Sequence, residues 1–263
     1  MGWLESIVLG FVQGLTEFLP ISSSGHLVVV PALFGWKDPS LTFDLVLHLG
    51  TLIAVVFAFR TDLWVLAEGL FGRGEDPATA RRTILLLAIG SIPAAAVGLA
   101  FGSFFEDRFE DPVTAAALLY VTAVILLGAE WVIRRGEGHE SVDGRRAGWI
   151  GVAQAAAILP GVSRSGSTIA AGLVQKVSRD AATRFSFLLS IPAIAGAVAT
   201  KIPDVVGGHF DITGPVVAGF LTAMVVGWIA IEWLLRYVRT HSFVVFSVYL
   251  VIFATISLIV LHV

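Results

Sequence analysis

Polar positions in this chain are few and clustered, with long apolar runs between them. A helix needs about 20 consecutive, mostly apolar residues to cross a bilayer. Six segments meet that requirement: 41–59, 83–103, 113–133, 184–203, 213–235 and 243–261. Two further apolar stretches are interrupted. Residues 2–36 are broken at Pro20-Ile21-Ser22-Ser23-Ser24-Gly25-His26, and residues 148–174 at Pro160-Gly161-Val162-Ser163-Arg164-Ser165-Gly166. Each half of these stretches is too short to span, and each break carries too many backbone polar groups to face lipid. The pattern predicts an all-α polytopic membrane protein with six transmembrane helices and two re-entrant helical hairpins, 2–36 and 148–180.

Composition agrees. The chain is 56% hydrophobic and 14% charged, whereas a soluble domain carries about 25% charged residues. A net charge of −3 and the lack of a basic segment exclude nucleic acid as a partner. With no cysteine, disulfides, thiolate metal sites and cysteine nucleophiles are excluded. The start, Met1-Gly2-Trp3-Leu4-Glu5, lacks the basic residues of a signal peptide, so residue 1 is expected to belong to the mature fold.

The cations orient the spans. Arg60, Arg73, Arg81 and Arg82 share one connection, and Arg134, Arg135, Arg145 and Arg146 another. Lys176, Arg179 and Arg184 follow the second break, and Arg236 and Arg239 precede the last span. The connection 104–112 is acidic, with Glu106, Asp107, Glu110 and Asp111. Cytoplasmic loops collect Lys and Arg. These connections alternate correctly only if 148–180 leaves the cytoplasm and returns to it. Both termini then lie outside, and 2–36 dips in from outside.

The two breaks also resemble each other. An offset of 141 aligns Gly10 with Gly151, Gln13 with Gln154, Ser22 with Ser163, Ser24 with Ser165 and Gly25 with Gly166. After one inserted residue, Phe43 aligns with Phe185, Leu47 with Leu189 and Val56 with Val198. A single membrane domain, 1–263, is expected to consist of two inverted-topology repeats, 1–140 and 141–263. Hairpin tips entering from opposite sides can then meet inside the bilayer.

Ionisable groups at membrane depth are costly and mark function by default. Glu17, His26 and Arg164 are such groups. Gln13 and Glu17 are four apart and share a helix face. The Ser24-Gly25 and Ser165-Gly166 pairs fall where each second half-helix begins, and free N–H groups there favour an anion. Arg164 adds a fork suited to phosphate oxygens. Together with Ser22, Ser163, Ser167 and Thr168, this reads as a phosphate cradle. Glu17 beside a phosphate is repulsive unless a divalent cation bridges them, as Mg2+ does. Ser22, Ser23 or a water completes the set as nucleophile, and His26 as general base or acid. The bland reading is that Ser and Gly merely let helices pack closely. Two matched clusters carrying Glu, His and Arg outweigh it. Glu130 with Arg134, and Glu232 with Arg236, have the spacing of ordinary interfacial pairs. Asp44 and His48 either line the cavity or sit at its mouth, and His139, His209, His241 and His262 read as bystanders.

Two long motifs carry a family resemblance. Gln13-Gly-Leu-Thr-Glu17-Phe-Leu-Pro-Ile-Ser-Ser-Ser-Gly-His26 resembles the (Glu/Gln)-x-x-x-Glu and Ser-Ser-x-Gly-His motifs of the undecaprenyl-pyrophosphate phosphatase, or bacitracin-resistance, family. Pro160-Gly-Val-Ser-Arg-Ser-Gly-Ser-Thr168 resembles its second motif, Pro-Gly-x-Ser-Arg-Ser-x-x-Thr. The resemblance implies hydrolysis of undecaprenyl pyrophosphate to undecaprenyl phosphate, recycling a bacterial cell-wall carrier lipid. It implies a divalent cation, Mg2+ or Ca2+, and a site open to the outer face of the cytoplasmic membrane. By motif position Glu17 is a metal or catalytic carboxylate, Ser23 the nucleophile, His26 its acid/base partner and Arg164 the phosphate clamp. Ser22, Ser163 and Thr168 support them. Many members have Glu where this chain has Gln13, which cannot supply a second negative ligand. Ser24-Gly25-His26 also resembles an element of the type-2 phosphatidic-acid phosphatases. Their second histidine would fall at Ala170, so that mechanism is not expected. A rival function is transport of an anionic polyprenyl lipid, because broken helices in inverted repeats are a transporter architecture. Transport needs a cradle but no nucleophile. Beyond the lipid substrate and the surrounding membrane no partner is implied, and homodimerisation is left open.

Overall fold

The computed structural model describes residues 1–37, 39–109, 111–133, 141–206 and 212–262, with side chains at 102–109 and 204–206 left undescribed. Among the sequence expectations, those resting on Glu106, Asp107, Glu110, Arg134, Arg135, His139 and His209 lie outside the described residues or side chains.

Among the described residues the regular structure is all helical: α1 (Trp3–Phe18), α2 (Ser23–Phe34), α3 (Leu41–Ala58), α4 (Arg60–Leu70), α5 (Pro77–Phe109), α6 (Pro112–Ile133), α7 (Gly144–Ala156), α8 (Arg164–Val174), α9 (Arg179–Val206), α10 (Gly214–Tyr237) and α11 (Val244–His262). Six of them, α3, α5, α6, α9, α10 and α11, are long and apolar enough to cross a membrane. They are the six expected spans, and the chain is a multi-pass membrane protein. Two begin earlier than hydropathy alone predicts, at Pro77 rather than 83 and at Arg179 rather than 184. The added turns carry Arg81, Arg82, Arg179 and Asp180, which a hydropathy count rejects. The heads of Arg81 and Arg179 find partners on neighbouring elements, the Gly69 carbonyl and Glu130, so the helices continue through them.

Helix α4 is a difference from the sequence reading, which treated 60–82 as a connection. It is too short and too polar to register as a span. It is tied down by charges: Arg184 at the start of α9 donates to Asp62 at 2.6 Å. Arg81 of α5 donates to the carbonyls of Gly69 and Leu70 at the end of α4, at 3.0 and 3.4 Å.

The interrupted stretches form short helix pairs, α1–α2 and α7–α8. Pro20 and its neighbours end α1, and Ser22 caps α2 by accepting from the Gly25 amide at 3.3 Å. In the second pair Ser163 caps α8 in the same way, accepting from the Gly166 amide at 2.9 Å. At its start, α7 is capped by Asp143, which accepts from the Arg146 amide at 2.9 Å. That amide, with the nearby guanidinium groups, holds the Asp143 carboxyl below the usual carboxylate range.

Matched packing accompanies this matched capping. Helix α1 lies principally on α10, and α7 on α5. At the first crossing Gly10 abuts the Gly219 carbonyl, and at the second Gly151 abuts the Gly90 carbonyl. A Cβ at Gly10 or Gly151 would overlap that oxygen, so only glycine lets the backbones approach this closely. Helix α6 packs on α11, and α3 on α9, across the middle of the molecule. A core of Phe18, Leu126, Ile169, Phe187, Leu189 and Phe243 fills the centre beneath the two breaks.

Glu232 and Arg236 form the expected i, i+4 pair at 3.2 Å. Glu130, whose expected partner Arg134 lies outside the described residues, also bonds well beyond its own helix. It is buried, takes two hydrogen bonds from Arg179 at 3.0 and 2.6 Å, and accepts the Phe243 amide at 2.8 Å. It therefore joins α6, α9 and the start of α11. Hydropathy could not separate the two cases, because both sequences offer only a Glu near a helix end.

Candidate active site

The tips of the two helix pairs touch. Ser165 donates to the Leu19 carbonyl at 3.0 Å, and the Gly161 amide donates to Ser24 Oγ at 3.4 Å. Arg164, the first residue of α8, reaches across and donates from Nη2 to Glu17 Oε1 at 2.7 Å. Glu17 is only 7% exposed. A carboxylate this deep needs a cation and hydrogen bonds to remain ionised.

The second carboxylate oxygen is also engaged. Ser23 Oγ, at the first turn of α2, donates to Glu17 Oε2 at 2.6 Å. Gln13 Nε2, one turn before Glu17 on α1, donates to the same oxygen at 3.2 Å and lies 3.4 Å from Thr51 Oγ1. His48 Nε2 stands 4.0 Å from Oε2. The other ring nitrogen, Nδ1, lies 2.7 Å from the Asp44 carbonyl. Asp44, His48 and Thr51 fall on one face of α3 through their spacing of four and three. His48 thus stands at the site rather than away from it.

Arg164 is held from behind. Its Nη1 donates to the Ser186 carbonyl on α9 at 3.4 Å. Thr168, one turn on in α8, shares a hydrogen bond with Ser186 Oγ at 2.6 Å and donates to the Arg164 carbonyl at 2.8 Å. Beneath the second tip, Thr122 of α6 accepts the Ser163 amide at 2.9 Å and donates to the Gly161 carbonyl at 3.1 Å. Ser163 Oγ is 3.1 Å from Ser165 Oγ, and Ser22 Oγ is 3.4 Å from Ser24 Oγ.

The motif residues therefore divide. Gln13, Glu17, Ser23 and Arg164 form one hydrogen-bonded cluster. Ser22, Ser24, Ser163, Ser165 and Thr168 build its walls. The Gly25 and Gly166 amides are engaged by the helix caps rather than turned to a ligand. Ser167 points elsewhere, into an apolar groove between α6, α7 and α8 shared with Val162 and Ala170. His26 does not meet Ser23. It is buried, with Nδ1 2.8 Å from the Ser22 carbonyl and Nε2 2.8 Å from the Tyr249 hydroxyl on α11. Thr51, Thr122, Ser186 and Tyr249 were not singled out by sequence. For Ser186 a signal existed, because the repeat alignment that pairs Phe43 with Phe185 sets it opposite Asp44.

A hard cation can be tested against these donors. Gln13 Oε1 is buried without a hydrogen-bond partner, and Glu17 and Ser23 add a carboxylate and a hydroxyl. All three are oxygen ligands of the kind Mg2+ and Ca2+ take. Among the described residues no group of three or more His, Cys, Asp or Glu side chains could hold a metal alone. The residues fit a cation whose shell is completed by ligand oxygens.

The fold is that of a polytopic membrane protein, in which a buried carboxylate, a guanidinium and a hydroxyl meet between the tips of two short helix pairs. The chain belongs to the bacitracin resistance protein BacA family, whose model matches residues 6–256. An undecaprenyl-diphosphatase of Desulfosudis oleivorans is 43% identical over 270 residues, covering 97% of this chain and 97% of its own length. One of Moorella thermoacetica is 43% identical over 253 residues, covering 96% and 95%. One of Nocardioides sp. is 38% identical over 262 residues, covering 98% and 96%.

Proposed function

We propose that this chain hydrolyses undecaprenyl pyrophosphate to undecaprenyl phosphate and inorganic phosphate between the two helix tips. The observation that carries the reading is the cluster of Glu17, Ser23 and Arg164 at 2.6 and 2.7 Å. It joins a nucleophile, a proton acceptor and an anion clamp in one buried place. The names of relatives similar over nearly their full length support the substrate.

In this mechanism the terminal phosphoryl group lies against the Arg164 guanidinium. The Ser23 hydroxyl proton passes to Glu17 Oε2, and Ser23 Oγ forms a bond to the terminal phosphorus. The bridging P–O bond breaks and undecaprenyl phosphate leaves. Water then attacks the phosphoserine, inorganic phosphate departs, and the proton returns from Glu17 to Ser23. Arg164 stabilises the charge that builds on the phosphoryl oxygens. Gln13 and Glu17 would hold a divalent cation, which when bound neutralises pyrophosphate charge and favours the leaving group.

The same reading sets the site in a bacterial cytoplasmic membrane, open to the outer face, where recycling the carrier lipid confers bacitracin resistance. Its topology has α1–α2 and α7–α8 as re-entrant hairpins in two inverted repeats. Helices of 16, 12, 13 and 11 residues support this. At 1.5 Å per residue none exceeds about 24 Å, short of the roughly 30 Å hydrocarbon core. The matched caps at Ser22 and Ser163 and the matched glycine crossings support the repeat. The function is tested by phosphate release from the lipid pyrophosphate by the purified protein, with and without divalent cation. Cation-dependent release is expected, and intact substrate under every condition would overturn the assignment.

A further inference from the structure

Ser22 has φ +72°, in the region L side chains rarely adopt, and it stands immediately before Ser23. Such a conformation persists only where its surroundings hold it. Two contacts hold the Ser22 carbonyl, one from the His26 amide at 3.2 Å and one from His26 Nδ1 at 2.8 Å. A carbonyl can only accept, so Nδ1 carries the hydrogen. In the neutral ring Nε2 is then an acceptor, and it meets the Tyr249 hydroxyl at 2.8 Å. The ring also stacks on Phe253, with centroids 4.4 Å apart and planes at 12°. Both nitrogens and one face of His26 are thereby committed to Ser22 and to α11.

We propose that Tyr249 is a positioning residue for the reaction, acting through His26 to hold Ser22 in its positive-φ conformation. The proposal rests on the reading of Ser23 and Glu17 given above. The chain of contacts runs from Tyr249 O–H to His26 Nε2, and from His26 Nδ1–H to the Ser22 carbonyl. It fixes the turn from which Ser23 Oγ reaches Glu17 Oε2 at 2.6 Å. His26 then contributes to geometry rather than to proton transfer. The second half of the chain sets the first hairpin through it, since Tyr249 and His26 are 223 residues apart.

Tyr249→Phe removes one hydroxyl and leaves the stacking of His26 on Phe253. Loss of a single neutral hydrogen bond predicts about a five- to tenfold lower kcat, with KM changed less than about twofold. Glycine takes positive φ freely, so in a Ser22→Gly background the same Tyr249→Phe change should cost less than about twofold. A Tyr249→Phe enzyme with wild-type kcat overturns the proposal, as does an equal loss in both backgrounds. Histidine-labelled 15N spectra, with His26 assigned through His26→Gln, should show Nδ1 protonated and Nε2 unprotonated, the Nε2 signal moving in Tyr249→Phe. The opposite tautomer overturns the proposal whether or not the protein turns over substrate. Absence of turnover by the wild type would instead count against the phosphatase reading.

Discussion

Arg164 Nη2 and Glu17 Oε1 meet at 2.7 Å although 147 residues separate them in sequence. Each stands beside the break of its own helix pair, so this ion pair is where the two halves of the chain make one site. Breaking it strands a charge. Arg164→Ala should abolish phosphate release and destabilise the protein by about 3–5 kcal/mol, because Glu17 is left buried and unpaired. Adding Glu17→Gln should recover much of the stability and none of the activity. Thermal melts in detergent alongside phosphate assays separate the two effects, and equal stability of Arg164→Ala and wild type would contradict the account.

Ser23 is half-buried and bonded to one side chain, Glu17. Ser23→Ala should therefore melt within about 1 kcal/mol of wild type yet lose at least about a hundredfold in kcat. A variant that keeps a tenth or more of the activity would transfer the attack to water.

Gln13 offers the cation a neutral oxygen where a carboxylate would offer charge. Gln13→Glu should lower the Mg2+ concentration giving half-maximal activity, by roughly tenfold on the dependence of affinity on ligand charge. A titration of activity against Mg2+ after EDTA treatment measures this. An unchanged midpoint would remove position 13 from the cation site.

Glu130 supplies a contrast, because its bonds to Arg179 and Phe243 serve the fold alone. Glu130→Ala should cost about 3 kcal/mol by leaving the Arg179 charge and the Phe243 amide unsatisfied. Turnover per folded molecule should stay within about twofold of wild type, as active-site-normalised kinetics would show.

Hydropathy made the six spans legible, because lipid imposes a length and a polarity on any crossing helix. It could not reveal α4, a short helix fixed by the Asp62–Arg184 contact and by Arg81 rather than by apolar content. Nor could it find the early starts of α5 and α9, whose first turns carry arginines. In the site, Glu17 and Arg164 were readable because ionisable residues are rare at membrane depth, Gln13 by its spacing from Glu17, and Ser23 by its place in the first motif. The partners of His26 were not, since Tyr249 lies on a distant helix whose sequence reads as an ordinary span. Thr122 and Ser186 were hidden for a related reason. A lone hydroxyl within a span has the same signature whether it packs helices or braces a loop.

The most direct test is phosphate release from undecaprenyl pyrophosphate by the purified protein, with Mg2+ or Ca2+ and then with EDTA, in wild type and Arg164→Ala. Cation-dependent release by the wild type, absent from Arg164→Ala, is the predicted result. Lipid that binds and crosses a vesicle membrane with its pyrophosphate intact would contradict it, and would make the cradle between the two tips a transport site.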